Sequence, residues 1–296
     1  MKAEHILNRI NSYEEYKKKM TDYENHIKMM IGKKGQPIPL NVMIVSGDKG
    51  VGKTYTASQI LKKYEDIRPY VIVTASLSAV QLYKLLWEHN DAIVVLDDVN
   101  SILQDPKDGA SLLKACTDSY QVRQLHWQKQ NPNCVPVHKM NLKDNATIQR
   151  KMEELALNNK KLALAVSEGR AFPDTFYFTG AVIILTNKPL SVIDRVTEGA
   201  VSNRGWHQEM LFSVEGAVEL LKNTAASMKT YIGQDLHPKN VKKALDFLTT
   251  KEHIRFYKEN GRLPTIRTLG KIAMECECGN DLDEDTLYNN TEAPAY

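Results

Sequence analysis

Gly47-Asp48-Lys49-Gly50-Val51-Gly52-Lys53-Thr54 matches the pattern G-x-x-x-x-G-K-[ST] at every fixed position. Before it runs Asn41-Val42-Met43-Ile44-Val45-Ser46, an apolar, β-branched stretch of strand length. After it, residues 54–64 predict a helix with Ala57, Ile60 and Leu61 along one side. Strand, glycine loop and helix are the context in which this pattern has a mechanism. Glycines let main-chain N–H groups turn inward around phosphate oxygens where a side chain would block approach. The helix that follows aims its positive end at the same oxygens. Lys53 is therefore expected at the β- and γ-phosphates of a nucleotide and Thr54 on Mg²⁺, with Gly47, Asp48, Lys49, Gly50, Val51, Gly52 and Tyr55 completing the nucleotide-binding segment.

The rest of an α/β core follows in order. Residues 70–74 predict a second strand. Residues 76–87 predict a helix that carries Leu77, Val80, Leu82, Leu85 and Leu86. Ala92-Ile93-Val94-Val95-Leu96-Asp97-Asp98 is a continuous apolar run ending in two acids, as expected of a parallel strand covered on both faces. Its C-terminal end is where α/β sheets place their ligands. Asp97 is expected to hold Mg²⁺, directly or through water, and Asp98 to polarise an attacking water. Residues 181–185 predict a fourth strand ending in Thr186-Asn187. Asn187 either stands beside the γ-phosphate and orients the water, or caps a turn. Residues 189–203 read as loop and helix, with Arg204 at their end, and residues 210–214 as a short fifth strand.

Around that core lie four less decisive regions. Residues 1–39 predict a helical segment, with Ile6, Ile10, Tyr13 and Tyr16 near helical spacing. Residues 105–178 form a long excursion, with a short helix over 111–117, an extended stretch over 121–127 and one strong helix over 147–166. Two readings of it stand, an exposed functional element and a partner-binding arm. From 215 onward the pattern is helical only, over 216–228, 238–249 and 265–275, as in a small lid. Residues 277–296 are acidic and poor in apolar side chains, which predicts a disordered tail. The expected division is thus 1–39, 40–214 (with 105–178 inserted), 215–276 and 277–296.

Bulk composition sets outer bounds. The chain has 296 residues, 42% apolar and 25% charged, ordinary values for a globular protein. Four cysteines at positions 116, 134, 276 and 278 lack zinc spacing, so reduced thiols are expected. The opening Met1-Lys2-Ala3-Glu4-His5 has an early acid and no apolar h-region, unlike a signal peptide. No apolar run approaches spanning length, so no membrane partner is expected and the cytoplasm is the expected location, that of a host if the chain is viral. Net charge is +3, and without the seven acids that follow Lys271 the body carries 39 basic against 29 acidic residues. A basic body makes DNA, or a protein bound to it, a candidate partner; a solvated mixed surface is the alternative.

With these residues in place, roughly residues 39–275 resemble an AAA+ ATPase. The resemblance rests on the Walker A loop at 47–54, the Walker B strand at 92–98, a sensor-1-like Leu185-Thr186-Asn187, then Arg204 and Thr265-Ile266-Arg267-Thr268-Leu269. Phe176-Tyr177-Phe178-Thr179-Gly180 and Val201-Ser202-Asn203-Arg204 are similar to bacteriophage-encoded members. The resemblance implies a P-loop α/β sheet flanked by helices, followed by an all-α lid, and an ATPase that assembles into a ring or spiral and remodels or moves a macromolecule. It implies sensor 1 at Asn187, an arginine finger at Arg204 reaching a neighbouring subunit's γ-phosphate, and sensor 2 at Arg267. A planar, permanently charged guanidinium suits both arginine roles. One departure stands out: the family usually ends Walker B in Asp-Glu, whereas this chain has Asp97-Asp98. That pair also occurs in superfamily 3 viral helicases, an alternative reading. The shorter Asp98 admits a second alternative, a nucleotide-gated scaffold with little turnover. A simple P-loop kinase is disfavoured by Asn187, Arg204 and the helical C-terminal part.

Overall fold

In β1 (Val42–Gly47) every residue is buried, and its side chains divide between two cores by alternation. Val42 and Ile44 join one apolar cluster, Met43 and Val45 the other. A strand with period-two side chains that is buried on both faces requires a covering layer on each. The computed structural model, which describes residues 9–98, 100–103, 105 and 107–294, has both layers.

The chain enters through α1 (Tyr13–Ile31) and β1, then continues through α2 (Lys53–Lys63), β2 (Tyr70–Val73), α3 (Ala79–Glu88) and β3 (Ile93–Asp97). It proceeds through α4 (Asn100–Leu103), α5 (Asp108–Cys116), β4 (Arg123–His126), β5 (Cys134–Val135), α6 (Asn145–Leu157), α7 (Lys160–Ser167), β6 (Phe172–Pro173) and β7 (Thr175–Phe178). It returns to the sheet with β8 (Ala181–Thr186), α8 (Leu190–Thr197) and β9 (Trp206–Met210), and then forms α9 (Val214–Thr224). The C-terminal part is the hairpin β10 (Thr230–Tyr231) and β11 (Gln234–Asp235), then α10 (Pro238–Leu248), α11 (Lys251–Asn260), α12 (Ile266–Glu277) and α13 (Glu284–Asn290).

Five strands form one parallel sheet in the order β2-β3-β8-β1-β9. From β1 the chain crosses to the far edge at β2, works back through β3 to β8, and ends on the other side of β1 with β9. The C-terminal ends of β1, β8 and β3 are therefore adjacent, which makes this end a switch point of the topology. The expected fold class, a helix-flanked parallel sheet followed by a small helical unit, is the one present. That unit has its own core, with Leu221, Val241, Leu248, Tyr257, Leu269 and Ile272 among its buried side chains.

Several expectations require correction. Among the described residues of 1–39 the helix is α1; Ile10 instead forms a parallel bridge to Phe212, and residues 1–8, Ile6 among them, lie outside the described residues. The helix expected over 147–166 is two, because Asn159 leaves helical geometry and its side chain caps α7 by accepting from the N–H groups of Lys161 and Leu162. The fifth strand lies at Trp206–Met210 rather than 210–214, since Ser213 already caps α9. The region after 215 holds the hairpin β10–β11 and the helix α11, both unanticipated. The acidic tail carries α13, started by a capping box at Asp283 and anchored by the fully buried Leu287, so it is folded where disorder was expected. The excursion 105–178 packs Leu125, Val135, Ile148, Phe172, Phe176 and Phe178 into the same cluster as Val94 and Ile184 of the sheet.

Candidate functional site

The loop from Gly47 to Gly52 turns between β1 and α2 on three left-handed glycines. Gly47 has φ 131°, and a Cβ there would lie 2.2 Å from the Met210 carbonyl oxygen, so only glycine fits against β9. Gly50 has φ 68°, and its Cβ would meet Thr265 Oγ1 at 2.9 Å, which brings the start of α12 onto the loop. Asp48 braces the loop: its N–H donates to Met210 O at 2.9 Å, and its carboxylate accepts from Phe212 N at 2.7 Å. Val51 is buried in the core, and the Lys49 ammonium lies 3.9 Å from Glu292.

Lys53 opens α2 and is buried. Its Nζ donates to the carbonyls of Gly47 (2.8 Å) and Asp48 (2.7 Å) and to Asn187 Oδ1 (3.1 Å). Asn187 Nδ2 donates to Asp98 Oδ2 at 3.3 Å, so one amide bridges the lysine and the second acid. Thr54 Oγ1 donates to Asp97 Oδ2 at 2.8 Å, across the end of β8. Asp98 has φ 56°, a left-handed conformation that aspartate tolerates better than most residues, and its N–H donates to Leu185 O at 2.8 Å. The structure thus brings Lys53, Thr54, Asp97, Asp98 and Asn187 together at the C-terminal end of the sheet. Arg267 stands in the first turn of α12, its Cβ 3.5 Å from where a Cβ on Gly50 would be. Tyr55, also in the first turn of α2, is exposed.

Arg204 is the exception. It precedes β9, whose first residue pairs with Met43, at the opposite end of β1 from Gly47. Its Nη1 donates to Lys114 O at 2.6 Å, and its Nη2 lies 3.4 Å from Asp118 Oδ2.

Two site-supporting side chains escaped the sequence reading. Tyr16 Oη donates to Val51 O at 3.1 Å, and Tyr23 Oη donates to Lys53 O at 2.9 Å. The two tyrosines are seven residues apart on α1, one face of a helix, and that spacing was the available signal. They tie the backs of the loop and of α2 to the N-terminal helix.

Burial dominates the electrostatics. It lowers the Lys53 pKa to about 8, against the opposing pull of Asp48, Asp97 and Asp98 and with help from Arg267. Asp97 is raised, first by burial and then by Asp98, against the Thr54 hydrogen bond and Lys53. The lysine shift has a consequence for stability. Below about pH 8 the ammonium is charged in both states, and its burial cost is felt in full. From about 8 towards its ordinary value of 10.5, the native state releases its proton before the unfolded chain does. Stability relative to Lys53→Met is therefore expected to rise with pH across that window, by up to roughly 3 kcal/mol. Paired denaturant titrations of the two chains at pH 7, 8.5 and 10 check this, and a difference that stays flat contradicts it.

Comparison with known proteins adds resemblance. No family model matches the chain. A stretch of 89 residues, 29% of the chain, is 34% identical to an uncharacterized 36.7 kDa protein in the nrdC-mobD intergenic region of Enterobacteria phage T4, and spans 27% of that protein. Among solved structures, the Aeropyrum pernix Orc1 protein in complex with DNA is 14% identical with a TM-score of 0.43; the match covers 93% of this chain and 64% of that one. The Thermotoga maritima RuvB Holliday junction branch migration motor is 13% identical with a TM-score of 0.33, over 95% of this chain and 71% of that one. Cdc6p from Pyrobaculum aerophilum is 15% identical with a TM-score of 0.33, over 92% and 64%. At such identities the functional argument rests on the site itself.

Proposed function

We propose that this chain, a P-loop protein of AAA+ type, binds ATP with Mg²⁺ and hydrolyses it as an oligomer that acts on a macromolecule. The observation that carries this reading is the convergence of Lys53, Thr54, Asp97, Asp98 and Asn187 on one glycine loop at the switch point of a parallel sheet. Main-chain N–H groups of residues 49–54, at the start of α2, would cradle the phosphates. Lys53, now satisfied by two carbonyls and an amide, would transfer its ammonium to the β- and γ-phosphates.

The donors fit magnesium. Thr54 Oγ1 and Asp97 Oδ2, 2.8 Å apart, are hard oxygens next to the phosphate position, and Mg²⁺ typically takes one or two protein oxygens together with substrate phosphates. When bound, the ion would neutralise charge on those phosphates. Asp98 and Asn187 would orient a water whose oxygen attacks the γ-phosphorus while the bond to the β–γ bridging oxygen breaks, giving ADP and phosphate. Arg267 would report the nucleotide to the helical unit through α12.

Nucleic acid is the macromolecule that the basic body favours, and the T4 resemblance supports a phage-type protein. Binding of single- and double-stranded DNA should weaken steeply across a salt series. Asp98 supports one competing reading, a nucleotide-gated scaffold, because its short side chain is held by Asn187 on a left-handed backbone. Steady-state phosphate release, with and without DNA, separates the two. We expect turnover in the wild type and a loss of about 10²–10⁴-fold in Asp98→Ala, the usual range for a positioned general base. ATP retention without turnover under every condition would leave the scaffold.

A further inference from the structure

The segment that follows α13 closes a ring of contacts on the glycine loop. Gly50 lies so near the start of α12 that a Cβ on it would meet Thr265 Oγ1 at 2.9 Å. Thr265 and Thr268 cap α12 reciprocally; both are buried, with their hydroxyls 3.0 Å apart. The Thr268 hydroxyl also donates to Asn290 O at 3.0 Å, and Arg262 Nη1 donates to Thr291 O at 2.9 Å. Leu263 and Glu292 then exchange both bonds of an antiparallel bridge: Leu263 N–H donates to Glu292 O at 2.8 Å, and Glu292 N–H to Leu263 O at 3.1 Å. From that bridge the Glu292 carboxylate returns to the loop, 3.9 Å from Lys49 Nζ, on a side chain only 23% exposed. A main-chain bridge and a half-buried stem fix the carboxylate in place.

Charges of both signs meet here. Tyr231 of the β10–β11 hairpin packs on α12, where a Cβ on Gly270 would lie 2.2 Å from its ring, and its phenol feels both Arg267 and Glu292. Lys49, Arg267 and Glu292 thus gather where the helical unit meets the glycine loop. We propose that residues 290–292 form a clasp between the helical unit and the glycine loop, with Glu292 as a built-in anion that holds Lys49 in the empty chain and yields it to phosphate. That this phosphate belongs to ATP rests on the ATPase reading. The direction of the change follows from charge. Phosphates on the loop offer Lys49 several negative oxygens in place of one carboxylate. Glu292, deprived of its cation, then faces a polyanion of its own sign, and the bridge to Leu263 that carries it weakens. Nucleotide binding and release of the segment are therefore linked, and by reciprocity whatever loosens the segment tightens the nucleotide. A single ion pair near the surface changes an equilibrium only a few-fold, so the clasp tunes affinity rather than blocking the site.

The test compares the full chain with Glu292→Gln, which keeps the main-chain bridge and removes only the charge. Fluorescent ATP and ADP analogues are titrated at low and at high salt. We expect the affinity of Glu292→Gln for ATP to exceed wild type by about two- to fivefold at low salt, by less for ADP, and to converge on wild type at high salt. Arg262→Met leaves Glu292 in place but frees Thr291 O, and should raise ATP affinity in the same direction. Hydrogen exchange supplies a readout independent of affinity: the Glu292 amide, bonded to Leu263 O in the empty chain, should exchange faster once ATP and Mg²⁺ are bound. Equal ATP affinity in wild type and Glu292→Gln at low salt overturns the clasp and leaves the ATPase reading standing. Exchange at residues 290–292 that ATP slows or leaves unchanged overturns the release step in the same way. A wild type and a Glu292→Gln chain that both retain no ATP at either salt sink the ATPase reading, and the clasp with it.

Discussion

Lys53→Met is expected to lose ATP affinity by about 30-fold to several thousand-fold, while the nucleotide-free chain becomes no less stable. The two halves of this expectation come from the same geometry. In the free chain the ammonium is buried, and burial outweighs the three acids around it, so its pKa falls to about 8. It therefore charges a cost to the fold that an apolar side chain of similar length does not. Two carbonyls, of Gly47 and Asp48, lose a donor on substitution, which offsets part of the gain. With a triphosphate present the balance reverses, because the cation then faces several negative oxygens in a site shielded from water. A functional group that burdens the empty protein and is repaid only by its ligand is a familiar arrangement at sites built for charge. Equilibrium titration with a fluorescent ATP analogue, beside denaturant unfolding of both chains, measures both halves. Wild-type affinity in the variant would remove Lys53 from the pocket and the proposed reading with it.

The parts of the site that the sequence made legible are those with a local signature. The glycine loop, the apolar run into Asp97-Asp98 and the strand into Asn187 are each contiguous, and a buried parallel strand leaves little room for another reading. What stayed hidden depends on contacts between distant segments. β9 reads Trp-His-Gln-Glu-Met, poor material for a strand by composition. It is a strand because β1 offers a free edge, and α1 covers its outer side: Gln208 Nε2 donates to Lys19 O and Lys19 Nζ to Glu209 O. Tyr16 and Tyr23 look like ordinary apolar-face residues of α1; their hydroxyls gain meaning only where that helix lies behind the phosphate loop. The tail misled by composition. A single buried Leu287 and a bridge from Glu292 to Leu263 fold a segment whose average hydrophobicity predicts none. Asn158-Asn159 breaks a run of helix formers, and Asn159 caps the helix that follows it.

Arg204→Ala is expected to leave ATP affinity close to wild type and to reduce hydrolysis by about 10³–10⁵-fold, the range known for arginine fingers. The separation follows from position. Arg204 lies at the end of the sheet away from its own phosphate loop, where it is bonded to Lys114 O and Asp118, so its removal takes nothing from the binding loop of the same chain. If it acts, it acts on a neighbour's nucleotide, and that is decidable by mixing. Lys53→Met subunits have a disabled pocket but keep Arg204, and Arg204→Ala subunits have the reverse defect. Each alone should be inactive. Together they should recover phosphate release, because a Lys53→Met subunit lends its arginine to the intact pocket of an Arg204→Ala neighbour. Recovery that grows with total protein concentration is the expected result. Equal loss of binding and hydrolysis in Arg204→Ala, with no recovery on mixing, would instead make the residue a brace between α5 and β9, and the bond to Lys114 O would then be its whole function.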